Sequence, residues 1–377
     1  MVLFLHNRYR TVGGEERVVE DLMGLVRERL GEPVELVSRD SAAVGRPRAA
    51  LGLLRGGLDP REVAAAVRRD GARVVHAHNL HPSFGWRALA AAREAGARVV
   101  LHLHQYRLVC ATGTCFTKGE PCTRCHGRNT LPGVIRNCRE SRAEALAYGP
   151  ALALWQRRTL SLVDAVVVPS RFAADRLKEL GAPLPWDRLH VLAPPLSIPD
   201  APSTDDGAAN GTGVGEGYAL AVARLSSEKG LDVAIDACRG VGMALVIAGE
   251  GPCRQALEAR AAGADVRFVG RVEGDALDEL RRRAAIALVP SRAAETFGLA
   301  AAEAMAAGLP VVASDAGALP ELVDPSALVP AGDAVALADA ITRLAGDAEA
   351  GARNRERVAE TCAPERVAAR LAGIYGR

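Results

Sequence analysis

Aromatic residues are scarce: Phe, Tyr and Trp together make up 4% of the 377-residue chain. Its cores must therefore be built from Ala, Val and Leu. No apolar run approaches the ~20 residues needed to span a bilayer. The opening MVLFLHNRYR turns to charge after five apolar residues, so a buried strand is expected there, not an export signal. An HExxH metal-hydrolase motif is also missing. Secretion, a membrane anchor and bulk disorder are therefore not expected; 49% hydrophobic and 24% charged residues are ordinary proportions for a soluble globular protein.

The length suits two domains of ~150–200 residues. The near-neutral total of +2 hides an asymmetry. Residues 1–200 carry 29 Lys and Arg against 20 Asp and Glu, and the remainder carries 18 against 25. The basic first half suggests an anionic partner, with a merely solvated basic face as the alternative. Eight cysteines without an export signal argue against a disulfide framework. Five of them fall between Cys110 and Cys138 and need an explanation of their own.

Along the chain, short aliphatic strands alternate with polar or Gly-rich loops and Ala/Leu/Arg-rich helices. Strands are expected at Val2–His6, Arg73–Ala77, Arg98–His102 and Ala165–Val168, with helices at Glu15–Leu30, Gly85–Ala95 and Phe172–Leu180. Aliphatic strands alternating with helices indicate parallel sheet covered on both faces. The rhythm breaks over 201–217, a Pro/Gly/Asp/Ser-rich linker, and restarts with strands at Tyr218–Ala223, Ala244–Ala248, Val266–Val269, Ala285–Pro290 and Pro310–Ala313. The expected fold is α/β: two doubly wound domains, 1–200 and 218–363, facing a central cleft. The last helix, about 364–377, is expected to cross back to the first. Ligands in such sheets sit beyond the carboxyl ends of the strands.

The most informative stretch is Ala285–Ser314. A strand is followed by Glu295 on a loop, Gly298 opens a helix, and Glu303 lies one turn inside it. The amides of Phe297, Gly298 and Leu299 would seat a phosphate, and Glu303 could reach diol hydroxyls at the helix mouth. Arg224 and Lys229, five apart after a strand, suit a diphosphate. Gly249 and Gly251 permit close backbone approach to a ligand or form a plain tight turn. The turn Thr11–Gly14, with its pair Gly13 and Gly14, can present donors to an anion or simply connect strand to helix. His76, His78 and His81 cluster at one strand end, and His102 and His104 share a face at the next. His104 is read as a polar contact to a ligand, in preference to a hydrolase metal site.

These residues resemble the GT-B, family 4 glycosyltransferases, which retain anomeric configuration. The matching pieces are GGEERVV (13–19), VVHAHNLHP (74–82), HQYRLVC (104–110), PSRF (169–172), RLSSEKG (224–230), GEGP (249–252) and ETFGLAAAEAMAAGLPVVAS (295–314). The resemblance implies that Arg224 and Lys229 hold the donor diphosphate and Glu303 the ribose. It implies Glu295 at the transferred sugar, the Phe297–Leu299 amides at sugar and phosphate, His104 near the sugar, and Gly13–Gly14 beside the diphosphate. His104, Arg224, Lys229 and Glu295 are the expected catalytic set.

The segment 105–142 resembles a subgroup with a cysteine-bearing insert, whose pattern falls on Cys110, Cys122, Cys125 and Cys138. Four thiolates at that spacing favour a closed structural zinc site. Cys115 or His126 are substitute ligands, and reduced cysteines, a disulfide or an iron–sulfur centre are the alternatives. No Asp-x-Asp motif is present, so cationic side chains and helix starts, not a divalent ion, are expected to neutralise the leaving group. The expected activity is sugar transfer from a UDP- or GDP-sugar to an acceptor hydroxyl, on a glycan, lipid-linked or small-molecule acceptor, plausibly anionic. A polysaccharide or glycolipid pathway is the family-level expectation, in the cytoplasm with peripheral contact at the inner membrane face. A sugar-nucleotide epimerase or hydrolase and a zinc-dependent nucleic-acid module are the competing readings. The Cys-rich segment has few aromatics for base stacking, so no nucleic-acid partner is expected.

Overall fold

Residues 1–9, 13–198 and 217–376 are described by the computed structural model. Thr11 and Val12 of the first turn, and all of the expected linker except Gly217, lie outside them. The chain forms two units. One comprises Met1–Lys118, Cys122–Pro195 and Pro364–Arg377; the other comprises Leu196–Ala363 with Gly119–Pro121.

The first unit is built on a six-stranded sheet of β1 (Val2–Arg8), β2 (Val34–Asp40), β3 (Val74–Ala77), β4 (Arg98–His102), β5 (Ala165–Val168) and β6 (Leu189–Val191). All pairings are parallel, in the order β2-β1-β3-β4-β5-β6. In β3 and β5 every residue is buried, as sheets with helices on both faces require. Aliphatic side chains dominate the core, joined by a few rings such as Phe4, Phe84 and Tyr106. The helix Arg171–Glu179 starts where the Ser170 hydroxyl accepts a hydrogen bond from the Ala173 amide, 2.9 Å away. The last helix, Pro364–Ile374, belongs to this unit. It is tied down by Arg98 Nε donating to the Ile374 carbonyl at 3.1 Å and by a 2.8 Å ion pair between Arg29 and Glu365.

The second unit repeats the plan with β7 (Tyr218–Val222), β8 (Leu245–Ala248), β9 (Val266–Gly270), β10 (Ala284–Val289), β11 (Val311–Ser314) and β12 (Leu328–Val329), in the order β9-β8-β7-β10-β11-β12. Successive strands run outward from β7 to β9, and the chain then returns to place β10 on the other side of β7. The strand order thus reverses between β7 and β10. In open parallel sheets this reversal opens a crevice beyond the carboxyl ends, where ligands bind. The first sheet reverses in the same way between β1 and β3.

Candidate functional site

Both loops beside the β7/β10 reversal carry residues singled out in the sequence. The loop after β7 runs through Arg224 to Lys229, and the loop after β10 through Ser291 to Gly298. Backbone contacts fasten them together. The Arg292 amide donates to the Glu228 carbonyl at 2.8 Å, and a Cβ on Gly230 would stand 2.0 Å from the Pro290 carbonyl oxygen. Gly230 also has φ of +63°, so that position favours glycine twice over.

This fastening brings Lys229 and Glu295 together. Lys229 Nζ donates to Glu295 Oε1 at 2.6 Å, and the Ser291 hydroxyl donates to the same oxygen at 2.6 Å. Burial alone would push the Glu295 carboxyl up; the ammonium and hydroxyl outweigh it and hold the carboxyl below its ordinary range. Arg224 is more exposed and pairs with Glu228. Burial pushes the Glu228 carboxyl up, but Arg224 and nearby hydrogen bonds hold it down. Gly298, at φ of +98°, starts the helix Leu299–Ala306, and at such a start the first amides have no intrahelical acceptor. Glu303 lies within this helix and pairs with Arg281 from the helix Asp275–Arg283.

Gly249 and Gly251 serve the backbone. Cβ atoms there would stand 1.9 Å from the Ala223 carbonyl oxygen and 2.4 Å from that of Leu225, so this turn supports the strand end that leads to Arg224. Ser291, Glu228 and Arg281 were not singled out in the sequence. Ser291 lies two residues beyond the end of β10, which is a usable signal; Arg281 lies in a run of three arginines and carries none.

In the first unit a cavity of about 60 Å³ is lined by Tyr9, Glu15, His78, His104, Gln105 and Arg107, among others. Tyr9 Oη donates to Glu15 Oε2 at 2.7 Å. Burial holds the Glu15 carboxyl above its ordinary range. The His104 and His102 rings stack at 4.2 Å, and His104 Nε2 lies 2.8 Å from His78 Nδ1. Burial, reinforced by His6, lowers His104 to about 3, so it is neutral near pH 7. The Gly13 amide donates to Glu16 Oε2 at 2.8 Å, and Gly14 is the first residue of the helix that follows.

All eight cysteines are free thiols. Cys110, Cys115, Cys122, Cys125 and Cys138 line a single hollow. A hydrogen bond from Cys115 holds the Cys110 thiol well below its ordinary range, while burial first, then neighbouring thiols, raise Cys125 to about 11. The donor set is that of a four-thiolate zinc site, although among the described residues no three of these sulfurs lie within 4.8 Å of one another. Among the described residues, the trio whose ligand atoms all lie within 4.8 Å of one another is His76, His78 and His102. His126 pairs with Asn129 in an isolated backbone bridge.

The fold matches that of sucrose-phosphate synthase from Thermosynechococcus elongatus, with a TM-score of 0.73 at 19% identity, covering 100% of this chain and 98% of that one. It also matches HepE of Anabaena in complex with UDP, with a TM-score of 0.67 at 18% identity, covering 100% and 99%. The chain thus has the GT-B architecture, two parallel α/β units. Residues 13–195 match the family model described as "Glycosyl transferase 4-like domain", and residues 216–347 match "Glycosyl transferases group 1". With them, the chain is of the family 4 glycosyltransferase type.

Among curated relatives, phosphatidyl-myo-inositol mannosyltransferase of Mycobacterium leprae is 30% identical over 226 residues, 57% of this chain and 53% of that protein. The GDP-mannose-dependent alpha-(1-6)-phosphatidylinositol dimannoside mannosyltransferase of Mycobacterium tuberculosis is 45% identical over 106 residues, 26% and 28% respectively. The aligned stretches span about half or less of these relatives' lengths.

Proposed function

We propose that this protein is a retaining glycosyltransferase that moves a hexose, mannose or glucose, from a GDP- or UDP-sugar to an acceptor hydroxyl. One observation carries the reading. A cation and a carboxylate, Lys229 and Glu295, meet where the strand order of the second sheet reverses, with a helix start three residues beyond Glu295.

In this reading Arg224 and Lys229 neutralise the diphosphate, and the amides of Phe297, Gly298 and Leu299 donate to phosphate and sugar. Glu303 accepts from the ribose hydroxyls and Glu295 orients the sugar. Gly249 and Gly251 shape the wall behind Arg224. His104, Gly13 and Gly14 are given the roles that the family resemblance implies, at the sugar and the diphosphate. The bond from the anomeric carbon to the phosphate oxygen breaks, and the acceptor oxygen bonds to the same face of that carbon. The acceptor's proton passes to the departing phosphate. Glu295 already accepts from Lys229 and Ser291 through one oxygen, which suits orientation more than covalent attack. Charge neutralisation by Arg224 and Lys229 makes the step independent of a divalent ion.

The acceptor is assigned to the first unit and to a glycan or lipid-linked molecule of a polysaccharide or glycolipid pathway. Arg124, Arg128, Arg136, Arg139 and Arg142 supply positive charge there, and Leu131, Ile135 and Leu146 are exposed beside them in sequence. That combination suits an anionic acceptor and peripheral contact with the inner membrane face. No helix among the described residues is long and apolar enough to cross a membrane. Cys110, Cys122, Cys125 and Cys138 are assigned a structural zinc ion, which would order the insert by drawing the four sulfurs together.

The test is a screen of UDP- and GDP-sugars with purified protein, read as released nucleoside diphosphate, with the product's anomeric configuration read by NMR. An acceptor-dependent α-linked product from an α-donor is expected. Free sugar or an isomerised donor as sole product, with every acceptor tried, overturns the transferase reading. For the zinc, elemental analysis should show the content falling by one equivalent in Cys122→Ser/Cys125→Ser; an unchanged zinc content refutes the thiolate site.

A further inference from the structure

Three histidines of the first unit, His76, His78 and His102, make a second arrangement that the proposed sugar transfer does not use. His76 lies in β3 and His78 two residues beyond it, so both point to one face of the sheet. His102 ends β4, which pairs with β3 in parallel register, His76 opposite Val100. The His102 ring stacks on His76 at 5.4 Å and on His78 at 5.2 Å. All three are buried, at 0%, 3% and 2% exposure.

Their ring nitrogens divide into two groups. His76 Nδ1 lies 2.8 Å from Tyr375 Oη, and His78 Nδ1 lies 2.8 Å from His104 Nε2. The opposite nitrogens, His76 Nε2 and His78 Nε2, have no hydrogen-bond partner, and neither nitrogen of His102 has one. Leaving a buried polar atom unpaired is destabilising, because it loses its water without gaining a partner. Four such atoms in one cluster therefore call for an explanation. One nitrogen held by a neighbour and the other left open is the arrangement of a metal-bound imidazole, whose outer N–H is fixed by a second group. One ligand atom from each of the three residues already lies within 4.8 Å of the other two.

We propose that His76, His78 and His102 form a buried three-histidine site for a divalent transition metal of the zinc class. Three neutral imidazoles select zinc, cobalt, nickel or copper over magnesium or calcium, which prefer oxygen ligands. The cavity of about 60 Å³ that His78 and His102 help to line has room for a water as fourth ligand. Tyr375 is a positioning residue: it orients His76 from the C-terminal segment, so metal occupancy would be coupled to docking of the helix Pro364–Ile374. Occupancy does not involve the thiol cluster.

Cobalt distinguishes the two metal centres, because thiolate ligands give an intense charge-transfer absorption that imidazoles do not. The full-length protein, stripped of metal, is titrated with Co²⁺. One equivalent with ligand-field bands and no thiolate absorption is expected, displaced by Zn²⁺ and retained in Cys122→Ser/Cys125→Ser. His102→Asn should lose that equivalent, and Tyr375→Phe should weaken it by about tenfold or more. Cobalt bound by wild type only with thiolate absorption, or not bound at all, overturns the site. So does a folded His102→Asn protein that keeps the nitrogen-ligated equivalent. Should that variant fail to fold, the wild-type spectrum and the Tyr375→Phe affinity decide, an unchanged affinity counting against the site.

Discussion

Lys229 Nζ lies 2.6 Å from Glu295 Oε1, although 66 residues separate the two in sequence. The pair holds the loop after β10 in one geometry. Lys229→Ala leaves the Glu295 carboxylate without its ammonium and, on the proposed reading, removes a cation from the donor diphosphate. With the best donor, kcat/KM should fall by about 10²–10³-fold, the scale of losing one preorganised charge at a leaving group. Far-UV circular dichroism should be unchanged. Steady-state release of nucleoside diphosphate measures the effect.

The depressed Glu295 carboxyl ties this pair to pH. A carboxyl whose folded pKa lies below its unfolded value, about 4.3, contributes stability that is complete above that value. The contribution is lost as pH falls through the lower, folded value. Wild type should therefore exceed Glu295→Gln in stability by a constant margin at neutral pH, and the margin should shrink below about pH 4. Urea unfolding of both proteins between pH 7 and pH 3 reads the margin directly.

Gly317 tests how closely the neighbouring loop braces the site. A Cβ there would stand 2.2 Å from the Glu295 amide nitrogen and 2.4 Å from its carbonyl oxygen, and φ is +66°. Gly317→Ala should cost roughly 2–4 kcal/mol and lower turnover by displacing Glu295. Gly308, also at positive φ (+78°), has nothing within 4 Å of its would-be Cβ. Gly308→Ala should cost only about 1 kcal/mol and leave turnover intact. Thermal denaturation and initial rates of the two variants make the comparison.

Arg281 and Glu303 form a pair that is largely out of solvent, with side chains 7% and 12% exposed. Arg281→Met removes the guanidinium and leaves the carboxylate to be desolvated without it. A loss of about 3–5 kcal/mol is expected, as when one partner of a buried ion pair is deleted. Replacing both residues, Arg281→Met with Glu303→Gln, should recover part of it. Chemical denaturation of the single and double variants reads the coupling.

Nine of the twelve strands in the two six-stranded sheets are legible in the sequence as aliphatic runs, because buried strands must be apolar on both faces. The three that are not, β2, β6 and β12, all lie at sheet edges. There a strand has one neighbour, β2 can carry Glu35, Arg39 and Asp40, and β12 needs only two residues. Helix positions were similarly accessible: Gly14–Arg29 and Arg171–Glu179 lie within one residue of their expected bounds at both ends.

Local signals also carried much of the candidate site. Arg224, Lys229, Glu295 and Gly298 each follow a strand end, and that placement depends only on sequence neighbours. Glycines could be found but not interpreted. Gly249 and Gly251 approach the backbone of Ala223 and Leu225, a relation made by two separate strands.

The alternation of strand and helix, the two-part organisation and the strand-end location of the chemical groups follow from local sequence, because each depends on side chains within a few residues of one another. Tertiary structure alone decided which groups meet. Lys229 reaches Glu295 because β10 returns to the side of β7, and His76 reaches Tyr375 because the last helix docks 299 residues away in sequence. Strand order and helix docking arise from long-range packing, which no local pattern encodes.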